Sequence, residues 1–391
     1  MEKIRAVSAI KILNSRSEET IKVEVKSENF KASFSVPQGK SKGKYEAISL
    51  STDNAIKSIS KLIVPKILGK EVNFQDIDKT LLESEGTLQK KVFGANAILG
   101  VSIALAKIQA KIEKKPLYKF LSQFLRKKGE KPRLLMNLIN GGIHSFGGPE
   151  IQEYLIILKT ETFNEGVFLG SEIYRRLGET LKTNIGDEGG YVKEFENSEE
   201  PLKILKEIIE RGKVESNVSI GLDVAASQLF NGENYELDNK NFSKEKIEDF
   251  YLNLSEKYKI NYLEDPFYED DFESFKNLKA KIKGCLVVGD DLTVTNVNRL
   301  KEAIKEDSIS GVIIKPNQIG TLTETIKAIN LATENNIDVI ISHRSGETND
   351  SFISDLSVAC GAWGIKTGAP ARGERVAKYN RLLEIEKEKL T

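Results

Sequence analysis

The chain has 391 residues, with 58 Lys and Arg against 58 Asp and Glu, so its formal net charge is zero, which argues against a polyanion-binding protein. With 39% hydrophobic residues it can bury a sizeable core and is not a disordered tail. Two cysteines, Cys285 and Cys360, leave no zinc spacing; no continuous apolar run approaches the ~18 residues that span a bilayer, and no secretory leader is read. A cytoplasmic protein with reduced core cysteines is expected, with no membrane or nucleic-acid partner.

In chain order, residues 4–12 (IRAVSAIKI), 20–27 (TIKVEVKS) and 30–36 (FKASFSV) alternate enough to predict short strands. Asn96–Lys114 repeats apolar residues every three or four positions and predicts a helix, which Pro116 ends. Strands then helices suggest a small α+β domain over residues 1–125. Residues 126–133 (RKKGEKPR) read as a solvated linker. The ~260 residues of 134–391 are close to the ~250 of a β/α barrel. Apolar runs recur there as LLMNLIN, EYLIILK, VSIGLDVA, NYLEDPF, CLVVGDD, GVIIKPNQ, DVIISHR and GIKTGA. Helical stretches such as Leu322–Asn335 separate most of them, but not the first two, so the barrel is expected to begin irregularly.

Several runs end in a reactive side chain: Asp223, Glu264, Asp290, Lys315, His343 and Lys366. Each lies about 25 to 40 residues beyond the one before, roughly one strand–helix unit. Catalytic groups of such barrels sit at the strands' C-terminal ends. A single carboxylate there reads as a helix cap. Three from neighbouring strands repel unless a cation joins them, and hard oxygen ligands favour Mg²⁺, Mn²⁺ or Ca²⁺. Lys315 and Lys366 fall on the far side of the mouth. A lysine base needs its pKa drawn down from ~10.4, which a metal and a second ammonium would do; the alternative is a structural pair that neutralises the carboxylates.

The chain has two histidines, His144 in NGGIHSFGG and His343 in SHRSGE. Arg344 and Ser345 of the second motif suit an anion such as phosphate. In NIGDEGGY, Asp187 and Glu188 lie between glycines, a turn that could hold a general acid, and Glu153, after Gln152, is a second carboxyl able to raise its pKa. Metal ligands, a lysine base, a carboxylic acid and an anion clamp suit proton abstraction beside a carboxylate, then loss of a leaving group from the next carbon.

These motifs resemble the enolase (phosphopyruvate hydratase) family. VPQGKSKGKYEA resembles its mobile loop, and FGANAILGVSIALA its N-terminal-domain helix. NLINGGIH, IQEY, NIGDEGG, GLDVAAS, LEDPF, VVGDDLTVTN, IKPNQIGTLTET, SHRSGETND and KTGAPARGERVAKYN follow in the family's order. The resemblance covers about Ile4 to Glu386 and implies an α/β protein, a small α+β domain followed by an irregular, enolase-type β/α barrel. It implies Mg²⁺-dependent dehydration of 2-phosphoglycerate to phosphoenolpyruvate, with two Mg²⁺ per site. Asp223, Glu264 and Asp290 would bind the first ion and Ser41 would help bind the second. Lys315 would take the C2 proton, and Glu188, assisted by Glu153, would protonate the leaving hydroxyl. His144, Gln152, Arg344, Ser345 and Lys366 would hold the substrate, with His343 beside the leaving group. A homo-oligomer built from dimers is implied as well.

The chain departs from the family pattern at Gln38, Lys40 and Lys42 of the loop, and at Ser17-Glu18-Glu19. Altered loop closure and second-metal affinity are expected. Two further readings stand: a superfamily lyase acting on another phosphorylated hydroxy acid, and a non-catalytic paralogue with a scaffold role.

Overall fold

The computed structural model describes residues 2–40, 43–126 and 131–390. Three antiparallel strands, β1 (Ala6–Leu13), β2 (Glu19–Lys26) and β3 (Lys31–Ser35), form the first sheet in the order β1-β2-β3. Helix Ala95–Ile112 packs across it, where a Cβ on Gly100 would come within 2.3 Å of Val23, so glycine allows the close approach. This helix is long and apolar enough to cross a membrane, a correction to the sequence reading, which missed it because Asn96, Ser102 and Lys107 interrupt the run. Its window is 78% buried inside the protein, as befits a core helix.

Among the described residues, eight strands close into a barrel. They are β4 (Arg133–Asn140), β5 (Glu153–Leu158), β6 (Val218–Asp223), β9 (Ile260–Glu264), β10 (Leu286–Gly289), β11 (Gly311–Ile314), β12 (Asp338–Ser342) and β13 (Gly364–Lys366); β7 (Tyr235–Leu237) and β8 (Lys240–Phe242) form a separate hairpin. Strand β5 runs antiparallel to both β4 and β6, and the other barrel pairs are parallel. That reversal is the irregular start foreseen from the missing helix between LLMNLIN and EYLIILK.

Near-continuous burial along the barrel strands explains their Val, Ile and Leu runs. Leu135, Leu155, Ile157, Tyr262, Val288, Ile313 and Ile340 fill the barrel interior, with Leu286 and Trp363 against them, so the interior is a packed plug. The predicted helix at 322 runs Leu322–Glu334. Thr321 caps it, its hydroxyl accepting from the Glu324 N–H at 3.0 Å and donating to the Glu324 carboxylate at 2.7 Å. Cys360 is buried and Cys285 is half-buried.

The N-terminal region docks on the barrel's mouth. The Ala47 N–H donates to the Gln318 carbonyl at 2.8 Å. Lys90 pairs with Glu324 at 2.7 Å, and Lys107 with Asp350 at 2.7 Å. Gln38 and Gly346 exchange two backbone hydrogen bonds, each 2.8 Å.

Candidate active site

Asp223, Glu264 and Lys366 are the last residues of β6, β9 and β13, while Asp290, Lys315 and His343 directly follow β10, β11 and β12. All six therefore face one barrel mouth. Glu153 joins them because β5 is reversed: it opens its strand in register with Asp223 and Asn140. One chamber is lined by these side chains, except Glu264, together with His144, Gln152, Glu188, Arg344 and Ser345. Glu264 reaches the group through Lys366, and Ser41 lies outside the described residues.

The carboxylates are distributed over two lysines. Lys366 Nζ lies 2.7 Å from Asp223 Oδ2, 2.8 Å from Glu264 Oε2 and 3.2 Å from Glu153 Oε2. Burial opposes its charge, but Asp223, Glu153 and Glu264 outweigh burial and hold its pKa well above the ordinary lysine value. Lys315 Nζ bonds Asp290 Oδ2, and Gln318 Nε2 donates to Asp290 Oδ1 at 3.0 Å. Burial likewise opposes the charge on Lys315, yet Asp290 raises its pKa. The drop foreseen for a base is absent in the chain alone, because the nearest group to Lys315 is an anion.

Glu264 is pushed up to about 8 by burial and then by Asp223, and its Oε1 is buried without a hydrogen-bond partner. An all-oxygen donor set with an orphaned buried carboxylate oxygen fits a hard divalent cation. Among the described residues, two close groupings differ from the sequence triad: Asp265, Asp290 and Asp291 form one set, and His144, Glu153 and Glu188 another, each with ligand atoms within 4.8 Å of one another. In the first, Asp265 accepts the backbone N–H groups of Asp290 at 2.9 Å and Asp291 at 2.8 Å, which shapes the Gly289–Asp291 turn.

His144 Nδ1 stands 3.7 Å from both Glu153 and Glu188. Burial, then the charge of Glu188, pushes the Glu153 carboxyl well above its usual range. Burial also acts on Glu188, but the imidazoles of His343 and His144 and the Arg375 guanidinium outweigh it and bring it below that range. The two adjoining carboxyls are thus pushed in opposite directions, with Glu153 the one that favours the protonated form. Burial drives His343 down to about 3, so its ring is neutral near pH 7.

The clamp arginine is already engaged. Arg344 Nη1 and Nη2 each lie 3.1 Å from a Glu46 carboxylate oxygen, and Nη1 also reaches Asn317 Oδ1 at 3.2 Å. The Ser345 hydroxyl accepts the Lys40 N–H at 2.9 Å, so residues 38–40 lie directly on the SHRSGE turn. Gln152 Oε1 accepts from Gln228 at 3.0 Å. Glu46, Asp265, Asn317 and Arg375 were not singled out from the sequence. All four sit in segments that were, KYEA, LEDPF, IKPNQ and KTGAPARGERVAKYN, but nothing local marks their partners.

Fold and site together define a capped β/α-barrel enzyme whose mouth is built of carboxylates, lysines and an arginine. Residues 131–391 match the family model for the enolase C-terminal TIM barrel domain, and residues 4–121 that for the enolase N-terminal domain. The enolase of Sulfurisphaera tokodaii is 40% identical over 98% of this chain and 95% of its own length. That of Metallosphaera sedula is 41% identical over 98% and 96%, and that of Methanocaldococcus jannaschii 40% over 98% and 95%. The chain belongs to the enolase family and is a lyase of the phosphopyruvate hydratase class.

Proposed function

We propose that the chain catalyses the reversible, Mg²⁺-dependent dehydration of 2-phosphoglycerate to phosphoenolpyruvate. The observation that carries this reading is that Lys315 and Glu188, from separate segments, line the same buried chamber. Asp223, Glu264 and Asp290 would hold the first Mg²⁺, and Ser41 would contribute to a second. Bound there, Mg²⁺ would stabilise the charge that builds on the substrate carboxylate as the C2 proton leaves.

The residues of the chain divide the remaining work. Lys315 Nζ, freed from Asp290, takes the C2 proton. Glu188 delivers a proton to the C3 hydroxyl, assisted by Glu153. Arg344, Ser345, Lys366, His144 and Gln152 hold the substrate's anionic groups, and the neutral His343 stands beside the leaving hydroxyl. The proposal keeps the division into 1–125, 126–133 and 134–391, a homodimer or an oligomer built from dimers, a cytoplasmic location, and no nucleic-acid or membrane partner. A different phosphorylated hydroxy acid is the second reading, favoured by Lys40, which reaches over the site to the Ile143 carbonyl.

Deuterium exchange at C2 separates the two roles. Lys315→Ala is expected to abolish both exchange and dehydration, while Glu188→Gln keeps exchange and loses dehydration. The opposite assignment of losses would overturn the roles.

A further inference from the structure

Arg375, in the first turn of helix Gly373–Leu390, has no solvent exposure. Its Nη1 lies 2.6 Å from His343 Nδ1 and 2.6 Å from the Arg344 carbonyl oxygen. Its Nη2 donates to the carbonyls of Ser345 at 2.6 Å and Asp187 at 3.2 Å. A guanidinium has only donors. The His343 Nδ1 facing it must therefore accept, and the single proton of the neutral ring sits on Nε2. That nitrogen lies 3.3 Å from Glu188 Oε2, the nearest carboxylate oxygen to it, without an aligned hydrogen bond.

We propose that Arg375 is a positioning residue that fixes His343 as its Nε2–H tautomer and thereby aims an N–H at the Glu188 carboxylate. Two features of the geometry make this more than a structural tie. The carbonyls that Arg375 also holds belong to Ser345 and Arg344, beside His343, and to Asp187, the neighbour of Glu188, so one side chain fixes both partners of the contact. Glu188 Oε2 accepts from Asn137 Nδ2 at 3.2 Å and has His343 Nε2 beside it, which leaves Oε1 as the oxygen that faces His144, 3.7 Å from its Nδ1. The neutrality of the ring agrees, since burial lowers His343 to about 3. The consequence for turnover rests on the reading of Glu188 as the acid; the tautomer does not.

The chain's two histidines make the test direct. Protein labelled with ¹⁵N-histidine is examined without substrate by long-range ¹H–¹⁵N correlation, with His144→Asn assigning the signals. His343 is expected to show a protonated Nε2 and an unprotonated Nδ1 at pH 7. In Arg375→Met the pattern is expected to shift to a tautomer mixture, and kcat to fall on the order of 10- to 100-fold with KM changed by less than about 3-fold. Arg375→Lys, which can still donate one hydrogen bond to Nδ1, is expected to restore the Nε2–H pattern. A protonated Nδ1 in the unmodified protein overturns the proposal whether or not any variant folds, as does a folded Arg375→Met with an unchanged pattern. Loss of 2-phosphoglycerate turnover with the expected tautomer intact would count against the dehydration reading alone.

Discussion

Glu46 grips Arg344 across the seam between the N-terminal region and the barrel, with both guanidinium nitrogens 3.1 Å from a carboxylate oxygen. Both side chains are nearly buried, at 10% and 4% exposure. The arginine expected to clamp a substrate anion thus carries an internal anion in the free chain. Removing one member of a buried pair strands the other, at about 3–5 kcal/mol. Glu46→Gln should lower the melting temperature, and 2-phosphoglycerate should raise it by more in the variant than in the unmodified protein. Equal ligand-induced shifts in thermal melts would contradict this.

Lys366 between Asp223 and Glu264, and Lys315 on Asp290, offset part of the negative charge of the mouth. A cation that binds the folded protein alone raises its stability, by about 2.7 kcal/mol at a hundred times its dissociation constant. Mg²⁺ should raise the melting temperature with saturation, and Asp290→Asn or Glu264→Gln should remove the shift. Asp291→Asn should keep it. Loss in Asp291→Asn with retention in Glu264→Gln would move the ion to the Asp265, Asp290 and Asp291 set.

Asp78 couples the N-terminal region to the barrel. Its Oδ2 accepts from Ser102 Oγ at 2.9 Å, the Thr323 N–H at 3.0 Å and Thr323 Oγ1 at 2.6 Å, while Oδ1 has no partner. Burial pushes its pKa up from 3.8 to about 6. Between those values the folded chain holds a proton that the unfolded chain has lost, so stability falls as pH rises through the window. The cost at pH 7 is roughly 3 kcal/mol. Relative to Asp78→Asn, the unmodified protein should lose about that much in denaturant titrations between pH 4 and pH 7. Parallel stability curves would contradict it.

Lys40 ties three loops together. Its N–H reaches Ser345, its ammonium bonds the Ile143 carbonyl, and it lies 3.8 Å from Asp187, which Arg16 also pairs with. The ammonium is partly exposed, so its contribution is small and screened by salt. Lys40→Ala should lower kcat/KM by roughly 2- to 5-fold at low salt, with the difference fading at high salt. A gain in kcat/KM would show that the loop is held too tightly.

The barrel was legible because most strands are short buried runs with a polar side chain at or just past their end, as with VSIGLD ending in Asp223. The reversal of β5 was legible only as an absence, the missing helix before EYLIILK. The first sheet was read within a residue or two, because β2 alternates inward Ile21, Val23 and Val25 with more exposed positions. Individual site residues were legible as chemical types at strand ends. Their pairings were not: Glu46 and Arg344 are 298 residues apart, and Lys366 and Asp223 are 143 apart. The strand-end pattern allows lysines that neutralise the carboxylates but does not say which carboxylate each meets, so the upward shift of Lys315 was missed. Arg375 lay within KTGAPARGERVAKYN, but its contact with His343, 32 residues earlier, was missed for the same reason.

The central claim is tested most directly by mixing the purified protein with 2-phosphoglycerate, with and without Mg²⁺, and following phosphoenolpyruvate by its ultraviolet absorbance. The account predicts product only with Mg²⁺, and none from Lys315→Ala under the same conditions. No product from the unmodified protein, with Mg²⁺ binding demonstrated by the melting shift, would contradict it.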